Sequence, residues 1–213
     1  MGKPLSKAII FDFDGTLVDS KKTINECFQT VTKKIAPDRI NYAKKILIGP
    51  PLSDTATNIL GNNHQDKLDA FIRLFIKIHD SKAIFHTHPF PGVSKTLKKL
   101  YSNNIHMALA TNKRKTPTIK LIEHLNWNKY FSFIECHDGE SNHPNKSIMI
   151  KKIITKNSIF KNSYYLGDTV NDGVSANLNN LKFLRANYGY GLNEDWTEIK
   201  IYKSINSFVE ILE

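Results

Sequence analysis

From Ser94 onward the chain keeps changing its hydrophobic period, and that alternation limits its folds more than any other feature. "IHMALAT", "FSFIEC", "SYYLGD" and "LKFLRA" are short apolar runs. Helical spacing fills the stretches Ser94–Ser102, Thr116–Leu125, Lys146–Thr155, Val170–Asn179 and Ile205–Leu212. Strands separated by helices of this length cannot pair as hairpins, because a helix between two strands makes a parallel crossover. The expected fold class is α/β, with a Rossmann-like parallel sheet and helices on both faces. "KAIIFDF", near the N-terminus, supplies the first strand.

Between that strand and the rest of the pattern lies a different kind of segment. From Ser20 to about His79 the apolar residues keep helical spacing. Ile24, Cys27, Phe28, Val31 and Ile35 share one face, and Leu68, Phe71, Ile72, Phe75, Ile76 and His79 share another. "LIGPPLSDT" breaks the helices between them, since proline lacks the amide hydrogen a helix needs. The chain therefore reads as a core of residues 1–18 and 86–213, interrupted by a small all-helical domain over 19–85.

In open α/β sheets, ligands bind beyond the carboxyl ends of the strands. The residues there are polar in a concentrated way. Asp12, Asp14, Gly15 and Thr16 follow strand one; Thr111, Asn112 and Lys113 follow "IHMALA"; Asp168, Thr169, Asn171 and Asp172 follow "SYYLG". Lys146 opens a helix after "DGESNHPNK". Clustered carboxylates do not all ionise without a cation among them. A hard ion with oxygen ligands, Mg²⁺ first, resolves the conflict and leaves positions for a phosphate oxygen. One carboxylate can then attack phosphorus, and a second, two residues on, can protonate the leaving oxygen and activate water. Thr111 and Lys146 would hold the transferring group.

"FDFDGTLVDS", "LATNK" and "LGDTVND" resemble the first, second and fourth motifs of the haloacid dehalogenase-like superfamily, and "LRANYGYG" is similar to its turn after the last core strand. The resemblance implies a phosphatase near the phosphoglycolate phosphatase group, acting on a small phosphomonoester through an aspartyl-phosphate. It implies Asp12 as nucleophile and metal ligand, and Asp14 as general acid/base that also gives the metal its backbone carbonyl. It places Asp168 and Asp172 around Mg²⁺, and Thr111, Lys146, Gly15 and Asn112 around the phosphate. At the third motif this chain has "HPNKSIMI" where relatives have Lys-Pro-x-Pro, and Lys146 fits best because it begins its helix. The insert's position after the first motif, with "IGPPLSDT" inside it, is similar to the helical cap of that group. A sugar phosphomutase, a pyrophosphatase and a nucleotidase share the same core residues. A phosphate-ligand sensor without catalysis is the reading of another class, and the intact set of site residues argues against it.

Each motif alone has an ordinary explanation. Asp-Gly-Thr is a common turn, Thr111 suits a helix cap, and Asp172 suits the first turn of a helix. It is their coincidence at successive strand ends that favours chemistry. The formal charge of +10 raises nucleic acid as a partner. The Lys and Arg residues are scattered through helices, with no basic block, so a solvated surface and an acidic small substrate are expected instead. No apolar stretch is long enough for a bilayer, residues 1–8 carry no signal-peptide core, and the two cysteines, Cys27 and Cys136, lie far apart. A cytoplasmic protein with reduced thiols, monomeric or weakly dimeric, is the expectation.

Overall fold

A computed structural model describes residues 7–137 and 145–212. The first strand is β1 (Ala8–Phe11), followed by a two-residue strand β2 (Val18–Asp19). Helices α1 (Lys21–Ile35), α2 (Ile40–Ala43), α3 (Leu52–Leu60) and α4 (Leu68–His86) come next. The chain returns through β3 (His88–Pro89), which pairs antiparallel with β2. Then helix and strand alternate: α5 (Val93–Ser102), β4 (His106–Arg114), α6 (Lys115–His124), β5 (Phe131–His137), α7 (Lys146–Lys156), β6 (Tyr164–Gly167), α8 (Val170–Leu178) and β7 (Lys182–Ala186).

One sequence expectation is corrected. Residues 205–212 do not form a closing α-helix: Lys203–Ile205 is a sixth sheet strand, β8, and Phe208–Leu212 is a short 3-10 turn. Ile205 goes to the sheet because its apolar side chain joins the same core as Phe208 and Ile211, which tertiary packing favours over helical spacing.

The six-stranded sheet has the order β5-β4-β1-β6-β7-β8, with every pair parallel. The chain builds outward from β1 in one direction and then, from β6, in the other. The strand order therefore reverses between β1 and β6, and a crevice opens at their carboxyl ends. Because side chains alternate along a strand, Ile9 and Phe11 enter one apolar cluster with Leu97 of α5 and Leu121 of α6, while Ala8 and Ile10 enter another with Ile150 of α7 and Ala176 of α8. Trp127, Tyr130 and Phe131 lie in the first cluster.

Asn104, Asn126, Asn162 and Asn180 all have φ between 56° and 59°. Each stands in the turn before a core strand, in the left-handed conformation that asparagine tolerates better than most residues.

The segment from α1 to α4 buries an apolar cluster of its own, centred on Phe28, Val31, Ile59, Leu60, Phe71 and Phe75. Phe28 packs on Phe75 with ring centroids 4.3 Å apart. No helix among the described residues is long and apolar enough to cross a membrane.

Candidate active site

The site is built where β1 and β6 end. Asp12 follows β1 directly, and its amide donates to the Leu166 carbonyl of β6 at 2.9 Å, which locks the two strand ends together. The next residues turn sharply: Gly15 has a φ of +84°, and its amide donates to the Val18 carbonyl at 2.9 Å. That hydrogen bond engages the Gly15 N–H within the turn, so Gly15 serves as a conformational pivot. Glycine is required for a second reason, because a Cβ there would sit 2.2 Å from Asp168 Oδ2.

Asp168, just after β6, accepts from the Thr16 hydroxyl at 3.0 Å and from the Tyr190 amide at 2.7 Å. Asp172 lies in the first turn of α8 and closes a capping box with Thr169, its Oδ2 accepting from Thr169 Oγ1 at 2.7 Å. Its Oδ1 accepts from the Tyr165 hydroxyl at 3.0 Å and from Lys146 Nζ at 2.5 Å. Asp172 is thus both the ordinary helix cap and part of the cluster. Asp12, Asp168 and Asp172 offer carboxylate oxygens within 4.8 Å of one another, all buried.

Lys146, the first residue of α7, is 2% exposed and also donates to Asp12 Oδ1 at 2.8 Å. Asn145 caps that helix by accepting from the Ser147 amide at 2.9 Å, which fixes where the Lys146 side chain departs. The segment before Asn145 lies outside the described residues.

Three carboxylates against one ammonium would leave two negative charges uncompensated if all ionised. The protonation equilibria reflect this. Burial, opposed by Lys146 and reinforced by Asp172, pushes Asp12 up to about 7. Burial, with Asp172 and Asp12 beside it, holds Asp168 well above the usual carboxylate range. Lys146 is desolvated, yet the Asp12 and Asp172 charges outweigh that and raise it above an ordinary lysine. A divalent cation fits this donor set on chemical grounds: hard oxygen ligands and surplus negative charge.

Asp14 is placed differently. Its carboxylate stands outside that trio, accepting from Ser20 Oγ at 2.6 Å and from Lys113 Nζ at 3.0 and 3.1 Å. Thr111 is buried at the end of the apolar part of β4, its hydroxyl oxygen accepting from the Lys113 amide at 3.2 Å. Asn112 turns its side chain toward the insert and donates to the Gly49 carbonyl at 2.8 Å.

Asp12, Asp14, Thr111 and Asn112 open onto one cleft, whose opposite wall comes from α1, α3 and α4. Sequence reading missed the part played by Lys113 on Asp14, and by Thr16, Tyr165 and Tyr190 behind the acids. The "TNK" and "YGYG" stretches were visible, but nothing in their spacing shows which carboxylate each residue meets.

The sequence profile of the haloacid dehalogenase-like hydrolases matches residues 9–186, which include every residue just described around the cluster except Tyr190. The chain belongs to the haloacid dehalogenase-like hydrolase family. Among curated relatives it is similar to a phosphoglycolate phosphatase of Psychrobacter arcticus, 23% identical over 96% of this chain and 94% of that one. It is also similar to the pyrophosphatase PpaX of Listeria monocytogenes, 26% identical over 77% of this chain and 75% of that one. A solved haloacid dehalogenase-like hydrolase of Streptococcus pneumoniae superposes with a TM-score of 0.81 at 23% identity, covering 96% of each chain. The α/β sheet is thus the fold of this family.

Proposed function

We propose that this family member is a Mg²⁺-dependent phosphatase that hydrolyses a small phosphomonoester through a covalent phosphate on Asp12. The observation that carries the reading is the placement of Asp12: a buried carboxylate at the switch point, 2.8 Å from the Lys146 ammonium and facing the cleft. In the first step an Asp12 carboxylate oxygen attacks phosphorus and the bond from phosphorus to the ester oxygen breaks. Asp14, as the carboxylic acid, gives its proton to that oxygen and the alcohol leaves. In the second step water attacks the same phosphorus and loses a proton to Asp14, so that inorganic phosphate departs and Asp12 is restored.

Thr111 and Lys146 hold the phosphoryl oxygens, and the Asn112 backbone amide supports them. Asp12 and Asp168 would hold the metal together with the Asp14 main-chain carbonyl, and Asp172 anchors Lys146 behind them. A bound Mg²⁺ would offset the negative charge of carboxylate and phosphoryl group as they meet. Residues 19–85 act as a cap that shields the site from water over a core of residues 1–18 and 86–213. The names of the relatives and the family's hydrolase character support this reading, and a cytoplasmic, monomeric or weakly dimeric protein accords with it.

The test is phosphate release from p-nitrophenyl phosphate and a panel of phosphomonoesters, with Mg²⁺ and then with EDTA. Metal-dependent release is expected. Silence on every ester at saturating Mg²⁺ would overturn the proposal, and phosphate delivered only to a second sugar would assign a mutase.

A further inference from the structure

We infer that the substrate of this site carries an uncharged, largely apolar leaving group rather than a second acid. The inference rests on the phosphatase reading and deepens it. The wall of the cleft facing Asp12 is largely hydrocarbon, with Ile24 and Phe28 of α1, Leu47, Ile48 and Leu52 around the proline turn, and Phe75 of α4, interrupted by Thr55 and His79. Leu47, 65% exposed, stands at the mouth and adds hydrocarbon to the entrance.

A substrate carboxylate or second phosphate would need a free cation on this wall, because a buried anion without a partner is heavily penalised. The chain is strongly basic as a whole, yet its cleft offers no such group among the described residues. Lys113 and Arg114 are the lysine and arginine that line it. Lys113 hydrogen-bonds both oxygens of Asp14, which holds its ammonium on the catalytic carboxyl rather than on the wall opposite, and Arg114 donates to Asp80 of α4. His79, the remaining basic side chain of the lining, is stacked on Phe75 with centroids 5.3 Å apart, and burial pushes it below the usual histidine range. It therefore stands neutral.

Among the described residues one polar side-chain atom of the cleft lining lacks a partner, and it carries no positive charge. Asn112 Oδ1 is buried and has no donor among the described residues, while its Nδ2 is fixed on the Gly49 carbonyl. This is an acceptor, so it gives a substrate carboxylate nothing to pair with. An apolar body and a terminal phosphate describe what the cleft fits.

The experiment compares kcat/KM across ethyl, butyl, hexyl and octyl phosphate, whose leaving oxygens are chemically alike, with phosphoglycolate and pyrophosphate at the same pH and Mg²⁺. The expected result is a rise of about two- to fourfold for each added methylene up to hexyl. Phosphoglycolate should fall at least about tenfold below hexyl phosphate, because its carboxylate goes unpaired. In Leu47→Arg, altered only at an exposed position, the gap should narrow by about fivefold, the scale of one exposed charge pair. A flat alkyl series, or phosphoglycolate or pyrophosphate exceeding every alkyl ester, would overturn the inference while leaving the phosphatase reading intact. Silence toward all of them would overturn both.

Discussion

Lys146 Nζ stands 2.8 Å from Asp12 Oδ1 and 2.5 Å from Asp172 Oδ1, so one buried ammonium ties the end of β1 to the first turn of α8. This contact makes the site a structural element as well as a chemical one. Removing it leaves two buried carboxylates without their shared cation. Lys146→Met should therefore lower the unfolding free energy of the metal-free protein by about 3 kcal/mol. Urea titration checks this, and a change below about 1 kcal/mol, the scale of an exposed pair, would show that the bridge contributes little. Phosphatase activity should drop at least about a hundredfold with it.

The acids behind Lys146 predict how pH and metal act together. In the metal-free folded protein Asp12 keeps its proton up to about 7, whereas in the unfolded chain it is released near 3.8. Its contribution to stability is fully present below the unfolded value and is lost as pH rises through the folded one. Asp168, shifted in the same direction by burial, adds to the loss. The metal-free melting temperature should thus fall between about pH 5 and pH 7.5. Mg²⁺ bound as proposed needs the ionised carboxylates, so the rise it produces should be small at about pH 5 and larger at about pH 7.5. Calorimetric scans at both pH values, with Mg²⁺ and with EDTA, measure it; an equal rise at both would contradict the assignment of Asp12 and Asp168 as the metal's ligands.

Asp14, the proposed proton donor, sits outside the carboxylate trio, on Ser20 and Lys113. With Asp14→Asn, kcat for alkyl phosphates should fall by about 10² to 10⁴. p-Nitrophenol leaves without help from an acid, so rapid-mixing experiments on the same variant should still show a burst of p-nitrophenol near one equivalent. A burst missing in the variant and present in wild type would place Asp14 in phosphate binding instead.

Gly15 tests the packing of the turn against the metal site. Alanine there meets both a φ of +84° and the Asp168 carboxylate. Gly15→Ala should stay folded but bind Mg²⁺ about 10- to 100-fold more weakly, since Asp168 must move. The Mg²⁺ concentration needed to raise the melting temperature reads this directly, and an unchanged requirement would show that Asp168 does not hold the ion.

Much of this was legible because the chemistry lies at strand ends and the strands are strongly apolar. "AIIF" followed by Asp12, and "YYLG" followed by Asp168, mark the two central strands from composition alone, and the sheet brings their carboxylates together. Lys146 opens its helix at the expected place despite the altered third motif. The last strand was hidden because Ile205, Phe208 and Ile211 keep a spacing that suits a helix face, while the actual choice depends on the sheet edge beside β7. The pairing of Lys113 with Asp14 was hidden for a related reason: β4 and β1 are neighbours in space, and no local pattern records which charges end up facing across them. The same holds for the neutralised cleft, which contrasts with the basic surface that the overall charge of +10 suggests.

In the proposed mechanism Asp12 forms the bond to phosphorus. The most direct test is the steady-state release of phosphate from p-nitrophenyl phosphate by wild type and Asp12→Asn, at saturating Mg²⁺, with melting curves to show that both are folded. A loss of at least about a thousandfold is expected in the variant. An Asp12→Asn protein retaining more than about a tenth of wild-type turnover would contradict the mechanism, because no single nucleophile can be replaced at so small a cost.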